Sequence, residues 1–143
     1  MNLGFYVDSM DGSKRNVEIY NALNEAVDNK EVSDACMFFN NVDHNPVHVR
    51  FGAFNGTDIW HFTGKLIATS LSNVGKALAS INKFELSYLY DPEDKNVLGL
   101  LQLVGKVNVI AKNEEEGKEF YRLTGHKPKV LNSFSVKNIL QVL

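Results

Sequence analysis

The chain has 143 residues and a formal net charge of −2, and 44% of its residues are hydrophobic and 22% charged. These values are typical of one globular domain with a full core, and this charge gives no long-range attraction to nucleic acid or an anionic membrane. No apolar run approaches the roughly 20 residues of a membrane span, and the N-terminus lacks the pattern of a signal peptide. We therefore expect neither nucleic acid nor a membrane among its partners.

The chain begins with a predicted strand and a predicted helix. Leu3 to Val7 is a short buried strand. Apolar residues at helical spacing predict a helix over roughly residues 14–29, with Ser13 or Asp11 as its cap.

Cys36 lies in the next predicted strand, "DACMFF", and is the only cysteine of the chain. A single cysteine excludes an internal disulfide, and a buried thiol is typical of a reducing compartment, so we expect a cytoplasmic protein. The segment "VHVRFGAF" alternates and carries β-branched and aromatic residues, which predicts a third strand over residues 47–54. The following "NGTDIWHFTGK" is a loop with one helical turn at Asp58 to Phe62.

The middle of the chain continues this alternation. Leu66 to Thr69 is a buried strand, residues 70–81 form a short helix capped by Ser72 or Asn73, and residues 83–90 form a strand. The segment "DPEDKN" is the turn that leaves this strand. The apolar run "VLGLLQLV" is either a helix packed on most sides or a buried strand, and its place between two strands favours the helix.

The last third of the chain predicts two strands and two helices. After the strand "VNVIAK", Asn113 caps the helix "EEEGKEFYRL", whose first-turn carboxylates suit the positive end of the helix dipole. Gly125 ends that helix, and "KVL" is a last short strand. Ser135 caps the final helix. Its apolar face is formed by Val136, Ile139, Leu140 and Leu143.

Strands and helices thus alternate nearly throughout, and most strands are continuous apolar runs. Such runs are expected when helices bury both faces of a parallel sheet. The sequence predicts an α/β fold over residues 1–143: one Rossmann-like, three-layer sandwich with a mostly parallel open sheet and helices on both faces.

Ligand sites in open parallel sheets lie beyond the carboxyl ends of the strands, near the point where the strand order reverses. We therefore expect the loops that follow the strands to form a row along one edge of the sheet. These loops are residues 8–13, 40–45, 55–64, 69–73, 91–96 and 112–113.

The first of these loops, "DSMDGS", has three interpretations: a turn with a helix cap, an anion or sugar site, or a metal site. For an anion or sugar, a helix start offers free N–H groups, Gly12 permits close approach and Ser13 donates hydrogen bonds. Lys14 and Arg15 add positive charge. Asp8 and Asp11 would repel a phosphate unless a cation such as Mg²⁺ intervened, but the other residues of a receiver-type metal site are missing. The loop is neither a Walker motif nor a G-x-G-x-x-G motif, so we predict no cofactor.

Two further groups resemble metal ligands without predicting a metal site. The "DPED" cluster, with Asp91 and Asp94, is either a cation site for a diphosphate or an exposed proline turn, and the turn is favoured. His44 and His48 are separated by Pro46, so no helix aligns them on one zinc ion.

Asp58, Trp60 and His61 lie together in one predicted loop. A tryptophan and a histidine in a strand-end loop can stack on a sugar and exchange a proton. In the alternative interpretation, Trp60 buries the sheet edge, Asp58 caps a turn and His61 is half exposed. Spacing alone indicates no nucleophile–histidine set, so the catalytic residues are unknown.

Four stretches, in order, resemble the N-terminal Rossmann-like half of GT-B glycosyltransferases: "GSKRNVEIYNALNEAV", "DIWHFTGKLIATSL", "KFELSYLY" and "VNVIAKNEEEGKEFYRLTGHKPKVLNSFSVKNIL". In that family a glycine-containing loop leads into the first helix, and a "D-I-W-H" type segment precedes a strand. A strand ending in a polar pair then starts a helix, which a "G-x-x-P-x-V-L" step follows. The matching residues are Gly12, Asp58 to His61, Lys112 with Asn113, and Gly125 with Pro128, Val130 and Leu131.

The resemblance implies a domain that binds a sugar or glycan. Together with the strand-end loops, it gives these candidate ligand-binding residues: Asp8, Gly12, Ser13, Asp58, Trp60, His61 and Asn113. In that family the C-terminal half holds the nucleotide sugar, and this chain has room only for the acceptor-side half. We therefore expect a domain that is inactive alone or works with a second domain supplied in trans.

Two other functions stay open. The first is a small flavodoxin-like domain that binds a nucleotide or phosphate through Asp8 to Arg15 and Thr69 to Asn73. The second is a non-enzymatic interaction module, such as a homo-oligomer, to which the apolar run "VLGLLQLV" offers a face for burial.

Overall fold

The computed structural model describes residues 2–80 and 83–143, which form seven strands and five α-helices. The strands are β1 (Asn2–Met10), β2 (Asp34–Val42), β3 (Gly52–Asn55), β4 (Gly64–Ala68), β5 (Phe84–Leu89), β6 (Asn108–Ala111) and β7 (Lys129–Val130). The helices are α1 (Lys14–Asp28), α2 (Leu71–Leu78), α3 (Val97–Leu103), α4 (Glu114–Thr124) and α5 (Val136–Val142), with a 3-10 helix at Gly56–His61. Within these ranges no helix has the length and hydropathy to cross a membrane.

The seven strands form one sheet in the order β3-β2-β1-β4-β5-β6-β7, and every neighbouring pair is parallel. The predicted parallel sheet is therefore confirmed. The chain first builds from β1 to β3 on one side, and β4 then pairs with the other side of β1. The strand order thus reverses between β1 and β4, as it does in dinucleotide-binding Rossmann folds.

Helices cover both faces of the sheet, as its apolar strands predict. Phe5 of β1 points to the face where Leu23 of α1 and Ile139 of α5 belong to the same buried cluster. Tyr6, the next residue, points to the opposite face, which is covered by the 3-10 helix, α2, α3 and α4. The result is the predicted three-layer α/β sandwich.

Each α-helix begins at a polar cap that accepts a hydrogen bond from the backbone N–H group three residues later. These caps are Ser13, Ser70, Asn96, Asn113 and Ser135. The predicted cap of α2, Ser72 or Asn73, is wrong because the helix begins earlier, after Ser70. Asn73 is instead fully buried, and its Nδ2 atom donates to the Tyr6 carbonyl oxygen. Ile81, at the end of the predicted helix, lies outside the described residues.

The third strand is shorter than predicted, because only Gly52–Asn55 pairs with β2. A side chain of α1 holds the residues before it: Asn24 donates to the His48 carbonyl oxygen at 2.9 Å and accepts from the Arg50 N–H group at 2.7 Å. Since these backbone groups already have partners, the segment runs beside α1 and packs its valines on the core.

Candidate functional site

A crevice of about 190 Å³ lies at the carboxyl ends of β1 and β4, where the strand order reverses. Its lining comes from the start of α1 and from the ends of three strands: Asp8, Ser9, Asp11, Ser13, Arg15, Asn16, Thr69 and Asp91. Asp8 stands inside β1 and not in the loop after it, because the strand continues to Met10. The Asp8 carboxylate accepts a hydrogen bond from the Ser70 hydroxyl at 2.9 Å, which ties β1 to the start of α2.

Hydrogen bonds to Asp11 fix the loop between β1 and α1. Its Oδ1 atom accepts from the Ser13 backbone N–H group at 3.0 Å and from Asn16 Nδ2 at 2.9 Å. Burial alone would raise the pKa of Asp11, but the hydrogen bonds from Ser13 and Asn16 outweigh burial and lower that pKa. The Tyr20 hydroxyl donates to the Asp11 carbonyl oxygen at 2.8 Å, and burial raises the pKa of Tyr20 to about 12. The start of α1 is thus capped by the chain's own oxygen atoms.

Two of the predicted binding residues lie on this edge of the sheet but outside the crevice. A Cβ atom added to Gly12 would meet Pro46 Cδ at 3.2 Å, so Gly12 permits contact with another loop. Asn113 caps α4 by accepting from the Glu116 N–H group at 2.9 Å. Asn113 follows β6, which is three strands from β1, so it lies roughly 14 Å along the sheet from the β1 side of the crevice.

Arg15 crosses the crevice to reach β5. Its Nη2 atom donates to the Leu89 carbonyl oxygen at 2.7 Å, and Nη1 donates to the Tyr90 carbonyl oxygen at 3.2 Å. Nη1 also lies 3.9 Å from the Asp91 carboxylate. The guanidinium charge is therefore engaged by the strand end and by Asp91.

The same edge of the sheet carries two carboxyl groups with raised pKa values. Burial raises the pKa of Asp94, which accepts a hydrogen bond from the Tyr88 hydroxyl. Burial likewise raises the pKa of Glu116, whose Oε2 atom is buried without a hydrogen-bond partner among the described residues. In residues 2–80 and 83–143 no group of His, Cys, Asp or Glu side chains is arranged to hold a metal ion.

Asp58, Trp60 and His61 are not on this edge, contrary to the expectation from the sequence. They belong to the 3-10 helix that connects β3 with β4. Asp58 and His61 line a second cavity, of about 340 Å³, together with Asp34, the first residue of β2. Trp60 is half exposed and lies outside the lining of that cavity. The other lining residues are Cys36, Phe38, Phe54 and Phe62.

The separation of the two groups follows from parallel pairing. A connection between parallel strands returns from the carboxyl edge to the amino edge, so its second half lies far from the carboxyl edge. Asp34 pairs with Asn2, and Asp8 is six residues further along β1, which corresponds to roughly 20 Å. The structure therefore brings Asp8 and Ser13 together and places Asp58 and His61 in a different cavity.

Cys36 faces the aromatic cavity as a neutral thiol. Burial raises the pKa of Cys36 to about 12. The Phe38 and Phe62 rings meet edge to face beside it, with 5.5 Å between their centroids. This cavity is thus apolar apart from the carboxylates and the imidazole at its rim.

A polar network between β1, β2 and α2 was not predicted. The Tyr6 hydroxyl donates to Asn40 Oδ1 at 2.8 Å, and Asn40 Nδ2 donates to Asn73 Oδ1 at 2.9 Å. A Cβ atom added to Gly56 would lie 2.6 Å from the Tyr6 hydroxyl oxygen, so the 3-10 helix begins against this network. The available signal was an asparagine in each of two predicted strand-end loops, Asn40 and Asn73, but sequence does not show that they meet.

Neither a family model, nor a curated protein, nor a solved structure matches the chain. The resemblance to GT-B glycosyltransferases stays a prediction.

Proposed function

We propose that this chain is a Rossmann-type sugar-binding domain, similar in role to the acceptor half of a glycosyltransferase, with the crevice between β1 and β4 as its site. One observation carries the proposal: an oxygen-lined crevice lies where the strand order reverses. Ligands of open α/β sheets bind at this position. We assign no residue a catalytic role. We also propose a cytoplasmic location, because the buried free thiol of Cys36 is typical of a reducing compartment.

The charge of the crevice favours hydroxyl groups over phosphate. The carboxylates of Asp8, Asp11 and Asp91 face the single guanidinium of Arg15, which leaves an excess of two negative charges. Carboxylates accept hydrogen bonds from sugar hydroxyls, whereas they repel a phosphate. This negative charge also argues against the flavodoxin-like alternative, which binds a phosphate. A flavodoxin-like fold in addition has the strand order 2-1-3-4-5, which differs from the order found here.

The volume of the crevice limits the size of the ligand. Pockets for drug-sized molecules measure roughly 300–1,000 Å³, and the crevice measures about 190 Å³. A single sugar ring, free or at the end of a glycan, is therefore the proposed ligand, and a dinucleotide is too large.

Thermal unfolding with hexoses that share one ring and differ in charge tests the proposal. Each hexose is tested in three forms: neutral, 2-amino and 6-phosphate. For a hexose that binds, we expect the neutral and 2-amino forms to raise the Tm, and the 6-phosphate form to raise it least. A ligand at ten times its Kd stabilises by about 1.4 kcal/mol, which corresponds to roughly 4 °C in a domain of this size.

Two carboxamide variants locate the effect. Asp8→Asn and Asp91→Asn are expected to remove most of the Tm shift, because each loses a carboxylate of the crevice. Asp43→Asn, in the exposed segment after β2, is the matched control and is expected to keep it. The proposal is wrong if the 6-phosphates give the largest shift, or if no sugar gives one.

Self-association is a second candidate function, supported by apolar side chains on α2 and α3. Leu98 is 68% exposed, Leu78 is 52% exposed and Leu101 is 44% exposed. A groove of about 390 Å³ lies between the two helices. Exposed apolar patches of this kind mark protein contacts, and a second copy of the chain offers the same surface.

Light scattering over a range of protein concentrations tests self-association. We expect a dimer that Leu98→Lys with Leu101→Lys converts to a monomer, because charge in an apolar interface lacks a partner. Val42→Lys replaces an equally exposed residue, at the end of β2, and is expected to leave the dimer intact. A wild-type monomer at every concentration contradicts this candidate.

A further inference from the structure

A basic cavity of about 540 Å³ lies at the other edge of the sheet, at the amino ends of β5, β6 and β7. Its apolar floor includes the half-buried side chains of Leu86, Val104 and Val107, which pack on the buried cluster that contains Phe120 of α4. Basic side chains stand around this floor: Lys106, Lys127, Lys129 and His126.

The charge at this rim is not neutralised by the chain itself. Glu85 also lines the cavity, but its carboxylate is held by Lys65 Nζ at 2.8 Å, and this hydrogen bond lowers the pKa of Glu85. In the described part of the chain, Lys106, Lys127 and Lys129 have no ion-pair partner. A chain with a net charge of −2 thus concentrates free positive charge at one cavity.

We propose that this cavity binds a small organic anion with an apolar body. Its carboxylate, sulfonate or phosphate group contacts the lysine ammonium groups, and its apolar part lies on the half-buried side chains of Leu86, Val104 and Val107. The volume of about 540 Å³ is within the roughly 300–1,000 Å³ of small-molecule pockets.

The shape of the site argues for a small molecule over a nucleic acid. A nucleic-acid surface needs a stripe of basic residues along the protein, because affinity grows with the number of phosphates neutralised. Here the free lysines surround one concave floor.

The basic cavity is independent of the proposed sugar site. Glu85 lies near the amino end of β5 and Asp91 follows its carboxyl end, so the two sites are roughly 20 Å apart along the strand. The charges of their linings are also opposite. A ligand at the basic cavity therefore needs no sugar in the crevice, and either proposal can fail alone.

Two fluorescent naphthalene dyes with similar apolar bodies test the proposal: anionic anilinonaphthalene sulfonate and neutral phenylnaphthylamine. We expect the folded protein to bind the sulfonate dye at one saturable site, with an affinity that falls as salt is added. Lys106→Glu with Lys129→Glu is expected to lower the affinity for the sulfonate dye by about tenfold or more, and the affinity for the neutral dye by less than about twofold.

A matched variant separates local charge from net charge. Lys14→Glu with Lys137→Glu changes the net charge equally at exposed positions outside the cavity, and we expect it to change the sulfonate affinity less than about twofold. Equal weakening in both double variants, or the absence of saturable binding, overturns the proposal. If circular dichroism shows that the variant with Lys106→Glu and Lys129→Glu is unfolded, Lys127→Gln replaces it. An unchanged affinity of the folded Lys127→Gln variant for the sulfonate dye overturns the proposal as well.

Discussion

Replacing Phe120 by alanine is expected to lower the free energy of unfolding by about 3–5 kcal/mol. Phe120 is 1% exposed, and its ring meets the Tyr90 ring edge to face with 5.3 Å between centroids. Truncation removes these contacts and leaves a void between α4 and the sheet. Because domains are stable by about 5–15 kcal/mol, the loss is a large fraction of the total. Urea unfolding followed by circular dichroism measures it.

The next residue on the same helix is the control for this prediction. Tyr121 is 48% exposed, and Lys127 Nζ lies 5.9 Å from its ring centroid. Tyr121→Ala is therefore expected to cost less than about 1 kcal/mol. Similar losses in the two variants would contradict the packing of α4 on the sheet.

The fold class was predictable because strands buried on both faces are apolar at every position. Leu66, Ile67 and Ala68 of β4 are all fully buried, although successive side chains point to opposite faces. Helix caps were predictable for a similarly local reason, since Ser13, Asn113 and Ser135 bond to N–H groups three residues away.

Features that depend on distant parts of the chain were not predictable. The alternation in residues 47–51 is typical of a strand, but Asn24 of α1 binds that backbone instead. The segment with Trp60 and His61 follows a strand in sequence, but it ends near the amino edge because it leads into β4. Local pattern does not carry this information.

Arg15 shows why the crevice was predicted only in part. In the sequence, Lys14 and Arg15 are two equivalent positive charges at a helix start. In the structure, Arg15 binds the carbonyl oxygen of Leu89, which is 74 residues away, while Lys14 is exposed. From the sequence we expected the positive charge of Arg15 to contact an anion, but Arg15 instead binds the end of β5.

Replacing Arg15 by methionine is expected to lower the free energy of unfolding by about 2–4 kcal/mol near neutral pH. Methionine keeps an apolar stem of similar length but removes the hydrogen bonds to the carbonyl oxygens of Leu89 and Tyr90. It also removes the positive charge that lies 3.9 Å from the Asp91 carboxylate and that lowers the pKa values of Asp94 and Glu116.

The difference between wild type and Arg15→Met is expected to shrink as the pH falls. Burial raises the pKa of Asp94 and of Glu116 in the folded chain, and Arg15 opposes both shifts. Without Arg15 these folded-state pKa values rise further, so the charged carboxylates oppose folding more strongly at neutral pH. Below the ordinary pKa values of 3.8 for Asp94 and 4.5 for Glu116, both groups are protonated in the folded and unfolded chains, and this part of the loss disappears.

Urea unfolding between about pH 3 and pH 7 separates the two roles of Arg15. The loss that persists at the acidic end measures the hydrogen bonds to β5, and the loss that appears as the pH rises measures the charge. Lys14→Met is the control, with an expected cost below about 0.5 kcal/mol at every pH. A difference that does not change with pH would mean that Arg15 leaves these carboxylates uncompensated.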